Sequence, residues 1–164
     1  MPAPPMLPPA APEPLGPGAA RPADAWLAKL SVLVLSGRFE RVHYALVMAS
    51  AAVAIGIPTT LFFTNAALHA LTSDADGPGW RALAADGGRD GGAVDDARQA
   101  RGVAGFEELL AACAELGVRL IACEMGLRAV GLAAADLRAD VPIEVAGAVT
   151  FLADAAAAGA MLTL

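Results

Sequence analysis

The chain has 164 residues, of which 57% are hydrophobic and 17% are charged, and its formal net charge is -6. This length suits one domain, and the apolar excess requires a membrane, a sheet covered on both faces or a subunit interface. The acidic balance argues against a nucleic-acid partner, because phosphate backbones are bound by clustered Lys and Arg. Two cysteines without a CxxC or Cys/His cluster predict a reducing, cytoplasmic location and neither a metal site nor a cofactor.

The N-terminal segment differs sharply from the rest in composition. Residues 1–24 hold nine of the twelve prolines and no lysine. Proline breaks helices, and the segment has neither the basic region nor the apolar region of a signal peptide. We therefore predict a disordered Pro/Ala-rich tail over residues 1–24, followed by one domain over residues 25–164.

The first half of this domain predicts alternating strands and helices. Short apolar runs bounded by Ser-Gly or Pro-Thr are typical of buried parallel strands, and the Ala-rich stretch between them favours a helix that ends at Gly56. The predicted elements are a strand at 32–35, a helix at 38–55, a strand at 58–63 and a short helix that ends at residue 71.

A Gly/Asp-rich segment, residues 73–102, interrupts the apolar pattern with seven glycines and six aspartates. We predict a long solvated loop there, because no helical or strand period continues through it. Its Asp-Ala-Asp-Gly sequence at 74–77 resembles the start of a calcium loop, but the later ligands and the closing Glu are absent.

The second half resumes the regular pattern. Its predicted elements are a helix at 105–116, a strand at 118–122, a short helix at 124–132, a longer helix at 143–158 and a final strand at 161–164. Strands that alternate with helices indicate an α/β fold with right-handed crossovers. We expect a three-layer α/β/α flavodoxin-like open sheet, mostly parallel, with about five strands.

A membrane span is the main alternative, because residues 42–71 contain no Lys, Arg, Asp or Glu. The Gly-Ile-Pro sequence at 56–58 divides this run, and the helical part, residues 42–55, is about 21 Å long against a bilayer core of roughly 30 Å. The soluble interpretation is therefore favoured. Because the helix is apolar nearly all round, we expect one face to meet the sheet and the other to meet another subunit.

The carboxyl ends of the predicted strands form the candidate ligand-binding edge, because the following helices direct their N-termini there. At this edge, Cys123 follows the third strand and directly precedes a helix, whose N-terminus favours a thiolate. We therefore expect an exposed, reactive thiol at the mouth of the site. The other predicted site residues are Ser36, Gly37, Thr64, Asn65 and Glu124.

The remaining titratable candidates favour structural roles. Cys113 shares the apolar stripe of its helix and is predicted to be a core residue, and its offset from Cys123 makes a disulfide unfavourable. His43 and His69 lie on apolar helices without a carboxylate at a triad-like spacing, so hydrogen-bonded structural roles are favoured. The negative charge of Glu124 opposes ionisation of the neighbouring thiol.

Three segments carry a resemblance to a known family. They are LSVLVLSGRFERVHYALVMASAAVAIGIPTTLFFT, GFEELLAACAELGVRLIACEMGL and VAGAVTFLADAAAAGAMLTL. Together they make the domain similar to the DsrE/DsrF/DsrH-like sulfur-relay proteins, particularly the DsrE-like branch. The resemblance implies a flavodoxin-like fold, a trimer or hexamer, and TusA-like or rhodanese-like partners. It also implies that Cys123 is the residue that carries a persulfide.

Two hypotheses of function follow. In the first, the protein is a sulfur carrier that holds sulfane sulfur on Cys123 and passes it to a partner thiol. In the second, it is a non-catalytic oligomeric module for binding or assembly, with membrane attachment as a variant, and its cysteine is incidental.

Overall fold

The computed structural model describes residues 27–155 and 159–164, so the predicted tail, residues 1–24, lies outside the described residues. The strands are β1 (Leu30–Val34), β2 (Thr59–Phe63), β3 (Ser73–Asp74), β4 (Gly77–Pro78), β5 (Arg119–Cys123), β6 (Ile143–Ala146) and β7 (Ala160–Thr163). The α-helices are α1 (Phe39–Ala54), α2 (Gly91–Gln99), α3 (Phe106–Glu115), α4 (Glu124–Val130) and α5 (Ala148–Asp154).

Five strands form one parallel sheet in the order β6-β5-β2-β1-β7, while β3 and β4 form a small separate hairpin. The chain moves outward from β1 through β2 and β5 to β6, and it then returns to place β7 on the other side of β1. Strand β2 is buried along its whole length, as expected for a parallel strand covered on both faces.

The sheet separates two apolar layers of different size. On one face, Val32 and Leu61 belong to the large core, together with Leu46 of α1 and Leu110 of α3. On the other face, a small cluster contains Phe62, Ile121 and Cys123 from the strands and Phe151 from α5. The predicted three-layer α/β fold with a five-stranded open sheet is therefore confirmed.

Helix α1 packs on the sheet and on α3 of the same chain. Its residues Val42, Leu46 and Ala49 are buried in the large core. The thiol of Cys113 on α3 donates to the Leu46 carbonyl at 3.5 Å. Another face of the helix is accessible, because Tyr44 and Ala51 are exposed, so its contact with another subunit stays a prediction.

The Gly/Asp-rich segment is not the plain loop that its composition predicts. It contains the β3–β4 hairpin and α2, whose first turn is capped by the Asp90 carboxylate accepting from the Ala93 N–H at 2.7 Å. Trp80 anchors it by stacking on Phe106, with ring centroids 4.7 Å apart. Trp80, Leu83, Ala85 and Val94 are buried in the core, but they are too few and too irregularly spaced to produce a period in the sequence.

The predicted helix at 143–158 was also wrong. Residues Ile143–Ala146 form the edge strand β6, which pairs with β5, and only Ala148–Asp154 are helical. The alternating sequence Ile-Glu-Val-Ala after Pro142 favours a strand, and Gly147 separates it from the helix. The end of the predicted helix, residues 156–158, lies outside the described residues.

The uncharged run at 42–71 is divided among most of α1, all of β2 and a 3₁₀ helix at Asn65–Leu71. Within residues 27–155 and 159–164, none of the helices combines the length and the hydropathy needed to cross a bilayer.

Candidate functional site

Cys123 is the last residue of β5 and the N-cap of α4. Its φ and ψ angles, -67° and 118°, are extended, so the chain turns into the helix directly after it. The Sγ atom accepts a hydrogen bond from the Gly126 backbone N–H at 3.3 Å. The predicted position, at a strand end and before a helix N-terminus, is confirmed.

The predicted exposure of this thiol is wrong, because only 4% of the surface of Cys123 is accessible. Side chains alternate along a strand, so Ile121 and Cys123 share one face of β5, and this is the face that α5 covers. Phe151 of α5 and Phe62 of β2 complete the cover, with rings stacked at 4.7 Å. The sequence predicted the correct edge of the sheet for Cys123, but it did not predict that α5 covers this residue.

Glu124, which immediately follows, is exposed and forms an ion pair with Arg128 one turn further along α4. The carboxylate therefore has an opposite charge at hydrogen-bonding distance. This i,i+4 pair on an exposed surface contributes only a few tenths of a kcal/mol to stability. The positive charge of Arg128 opposes the negative charge that Glu124 places beside the Cys123 thiol.

Thr64 and Asn65 lie against the first turn of α4. A Cβ atom built on Gly126 would lie 2.6 Å from Thr64 Oγ1 and 3.0 Å from the Asn65 backbone nitrogen, so only glycine fits without a shift. Asn65 itself has a positive φ of 49° at the start of the 3₁₀ helix. The structure therefore brings these two predicted residues to the helix that Cys123 caps.

Ser36 and Gly37 are further from the thiol, because β2 lies between β1 and β5 and two strand spacings amount to about 10 Å. Ser36 Oγ accepts from the Arg38 N–H at 3.2 Å. Gly37 approaches Ala66 so closely that a Cβ there would lie 2.7 Å from the Ala66 Cβ. These residues share the predicted edge but do not meet Cys123.

A cleft of about 360 Å³ opens beside Gly37, and Cys123 is not among its lining residues. Ala66, His69 and Thr72 line one side of it, and Gly79 lies on the hairpin side. The carboxyl edge of the sheet thus carries two separate features, which are the covered thiol at β5 and this open cleft at β1.

The other cysteine and one histidine have the structural roles that the sequence predicts. Cys113 is fully buried between α1 and α3, and burial raises the pKa of its thiol to about 11. Burial also lowers the pKa of His43, whose Nε2–H donates to the Ala104 carbonyl at 3.0 Å. Both cysteines are free thiols, in agreement with the predicted absence of a disulfide between them.

Three residues that hold the helices next to the thiol were not predicted from the sequence. Gly126 lies three positions after Cys123, and a glycine in the first turn of a helix is a recognisable signal of close packing. Phe151 and Asp154 lie within a segment predicted to be one long helix, and their positions against the sheet depend on the strand that ends at Ala146. No local pattern could have shown those contacts.

Residues 90–163 match the model of the DsrE/DsrF/DrsH-like family. The matched range begins at the cap of α2 and includes β5, Cys123, α4 and α5. A comparison with curated protein sequences finds no match. The family resemblance is thereby confirmed over residues 90–163, which include Cys123 and Glu124, whereas Ser36, Gly37, Thr64 and Asn65 lie outside the matched range.

Proposed function

We propose that the protein carries sulfane sulfur as a persulfide on Cys123, because residues 90–163 match the model of the DsrE/DsrF/DrsH-like family, whose general role is sulfur relay. The observation that carries this proposal is the position of Cys123. Its sulfur lies at the end of a central-sheet strand and accepts the Gly126 N–H at 3.3 Å. A backbone donor at this place stabilises negative charge on the sulfur, and the thiolate is the nucleophilic form of cysteine.

Loading requires one thiolate attack. The Cys123 thiolate attacks the outer sulfur of a donor persulfide or polysulfide, a new S–S bond forms at Cys123, and the donor leaves as a thiolate. Delivery repeats the same exchange in the other direction, when an acceptor thiolate attacks the outer sulfur and Cys123 leaves as a thiolate. Neither step has net oxidation, so no cofactor is needed for it.

The Gly126 N–H serves both steps, because Cys123 is the attacking thiolate in loading and the leaving thiolate in delivery. A hydrogen-bond donor that stabilises the Cys123 thiolate speeds delivery, in which this thiolate leaves. The same stabilisation makes the thiolate a weaker nucleophile in loading. The Gly126 nitrogen lies 3.3 Å from the sulfur, an ordinary length for a hydrogen bond to sulfur, which is larger than oxygen.

The proposed donors and acceptors are small proteins with accessible sulfur, of the TusA-like or rhodanese-like kind, in a cytoplasmic, reducing compartment. We propose in addition that the protein self-associates as a trimer or hexamer. Large exposed apolar side chains support this, since such surfaces often mark protein interfaces. They include Met125 on α4, which is 74% exposed, and Val149 on α5, which is 82% exposed.

Intact mass measurement tests the sulfur carrier directly. The reduced protein is incubated with polysulfide, or with thiosulfate and a rhodanese, and the donor is then removed. We expect the wild type to gain the mass of one sulfur atom, and we expect Cys123→Ser to gain none. Cys113→Ser is the matched control, because it removes a core thiol and leaves Cys123 in place, so it retains the gain.

An unmodified wild type, or the same gain in Cys123→Ser, would contradict the proposal. Either result favours the second candidate, a binding or assembly module whose cysteine is incidental. The observation that favours this candidate is the 4% exposure of Cys123 in the single chain. It predicts that Cys123→Ser assembles and binds its partners like the wild type.

A further inference from the structure

Helix α5 contains only seven residues, yet it is the element that covers Cys123. The Phe151 side chain belongs to the same buried cluster as Cys123 and stacks on Phe62 with an interplanar angle of 19°. The opposite side of the helix does not enter the core, since Val149 is 82% exposed and Leu152 is 59% exposed. One aromatic side chain therefore supplies the apolar attachment of α5.

A second attachment lies at the last residue of the helix. The Asp154 carboxylate accepts from Thr60 Oγ1 at 2.6 Å and forms ion pairs with Lys29 at 2.5 Å and Arg119 at 2.9 Å. These three partners come from the segment before β1, from β2 and from β5. One carboxylate thus attaches α5 to β2, to β5 and to the segment before β1.

The start of α5 is free to act as a hinge. Gly147 joins β6 to the helix, and a Cβ built there would meet nothing within 4 Å. The helix is therefore held at its start by the covalent connection to the edge strand β6, in the middle by Phe151, and at its end by the Asp154 contacts and the chain that continues to β7. Elements with few buried contacts open locally at lower free energy than the whole domain.

We propose that α5 is a gate over Cys123, held closed by the Phe151 stack and the Asp154 contacts, which opens to expose the thiol to its reaction partners. The gate rests on the proposed function for its purpose. It resolves a conflict in the site, because a carrier thiol must reach another protein's sulfur while this one is 96% covered in the closed arrangement.

The Asp154 contacts act on the helix and not on the thiol. Arg119 and Cys123 are the two ends of β5, four residues apart, which corresponds to about 13 Å along a strand. A neutral replacement of Asp154 therefore changes the attachment of α5 at the end of β5 that lies opposite Cys123.

Alkylation kinetics test the gate without any sulfur donor. The native full-length protein is treated with iodoacetamide, quenched at intervals and digested, and the modified fractions of the Cys123 and Cys113 peptides are measured by mass. Cys113, buried between α1 and α3, reports opening of the whole domain. When opening is fast relative to alkylation, the rate follows the population of the open state.

We expect wild-type Cys123 to react more slowly than in the denatured protein and faster than native Cys113. Phe151→Ala and Asp154→Asn each remove a contact that holds α5 closed, so we expect each to raise the Cys123 rate about tenfold. The alkylation rate rises by the same factor as the population of the open state. The Cys113 rate stays below the Cys123 rate in both variants, although any loss of global stability raises it as well. Phe151→Leu gives a smaller increase in the same direction and is used if the alanine variant does not fold.

Two variants serve as controls. Glu144→Gln removes the other partner of Arg119, on β6, without touching α5, and Leu152→Ala shortens a side chain on the outer surface of α5. Both are expected to leave the Cys123 rate as in the wild type. The gate is overturned if Phe151→Ala and Asp154→Asn do not change that rate, or if Cys123 reacts no faster than Cys113 in the wild type and in both variants.

The two proposals fail separately. A protein that takes up no sulfur on Cys123 but shows selective alkylation in the gate variants would lose the carrier function and keep the gate. A protein that takes up sulfur while wild-type Cys123 alkylates as fast as in the denatured chain would keep the carrier function and lose the gate.

Discussion

Gly126 is the residue on which the geometry around Cys123 depends most directly. It donates its backbone N–H to the sulfur, and its missing side chain lets α4 approach Thr64 and Asn65. Both roles follow from one position in the first turn of a short helix. A side chain at this position would act on the fold and on the thiol at once.

We expect Gly126→Ala to destabilise the protein by about 1–3 kcal/mol, the usual cost of overpacking, despite the higher helix propensity of alanine. The added Cβ would lie 2.6 Å from Thr64 Oγ1 and 3.0 Å from a backbone nitrogen, so the helix has to move. Chemical denaturation with a linear extrapolation measures the change in the free energy of unfolding.

Gly147→Ala is the matched control, because a Cβ there meets nothing within 4 Å and its φ angle is negative. Its cost is expected to stay below about 1 kcal/mol, as for an N-cap change between two residues without a side-chain acceptor. A Gly126→Ala protein as stable as the wild type would show that the close approach to Thr64 is not required.

At the scale of elements, the joint between α1 and the segment before α3 depends on a neutral histidine. His43 is buried and donates to the Ala104 carbonyl at 3.0 Å, and burial lowers its pKa below the ordinary value of 6.5. Arg98 and Asp95 of α2 face the same ring with opposite effects on the pKa. Protonation of His43 thus costs more in the folded chain than in the unfolded one.

We therefore expect the free energy of unfolding to fall as the pH drops below 6.5 and through the lower folded-state pKa of His43. In this window the unfolded chain binds the proton and the folded chain does not, so acid favours unfolding. Denaturation at several pH values measures the slope. His43→Gln is expected to reduce the slope in this window, whereas His69→Gln, which changes an exposed side chain, should retain it.

The sequence predicts some elements well and others poorly for identifiable reasons. The apolar runs that became β1, β2 and β5 are bounded by turn residues and lie in the centre of the sheet, where burial on both faces leaves a strong signal. Strand β6 lies at the edge and alternates apolar with polar residues, so it merged with the following Ala-rich stretch into one predicted helix. That error also hid α5 as a separate element.

The candidate site shows the same division. The position of Cys123 could be predicted because parallel strands place their carboxyl ends along one edge. Its burial could not be predicted, because the cover comes from Phe151, which lies 28 positions after Cys123 in the chain. Long-range packing of this kind depends on the register of β6 against β5, which no local pattern contains.

For the whole molecule, the composition leaves apolar surface that the described fold does not cover. Side chains on α4, α5 and the edge strand β7 remain exposed, among them Met125, Val149 and Met161. We expect the purified protein to sediment as a trimer or hexamer at micromolar concentration. Sedimentation velocity over a range of concentrations measures this, and a monomer throughout that range would contradict the proposed self-association.

Sulfur carried on Cys123 is detected by the mass of the Cys123 peptide in protein purified from a sulfur-metabolising cell. The protein is alkylated under non-reducing conditions before digestion, so that a thiol and a persulfide give different products. We expect an additional sulfur atom on the Cys123 peptide and none on the Cys113 peptide. A Cys123 peptide found only as the unmodified thiol, in cells with active sulfur metabolism, would contradict it.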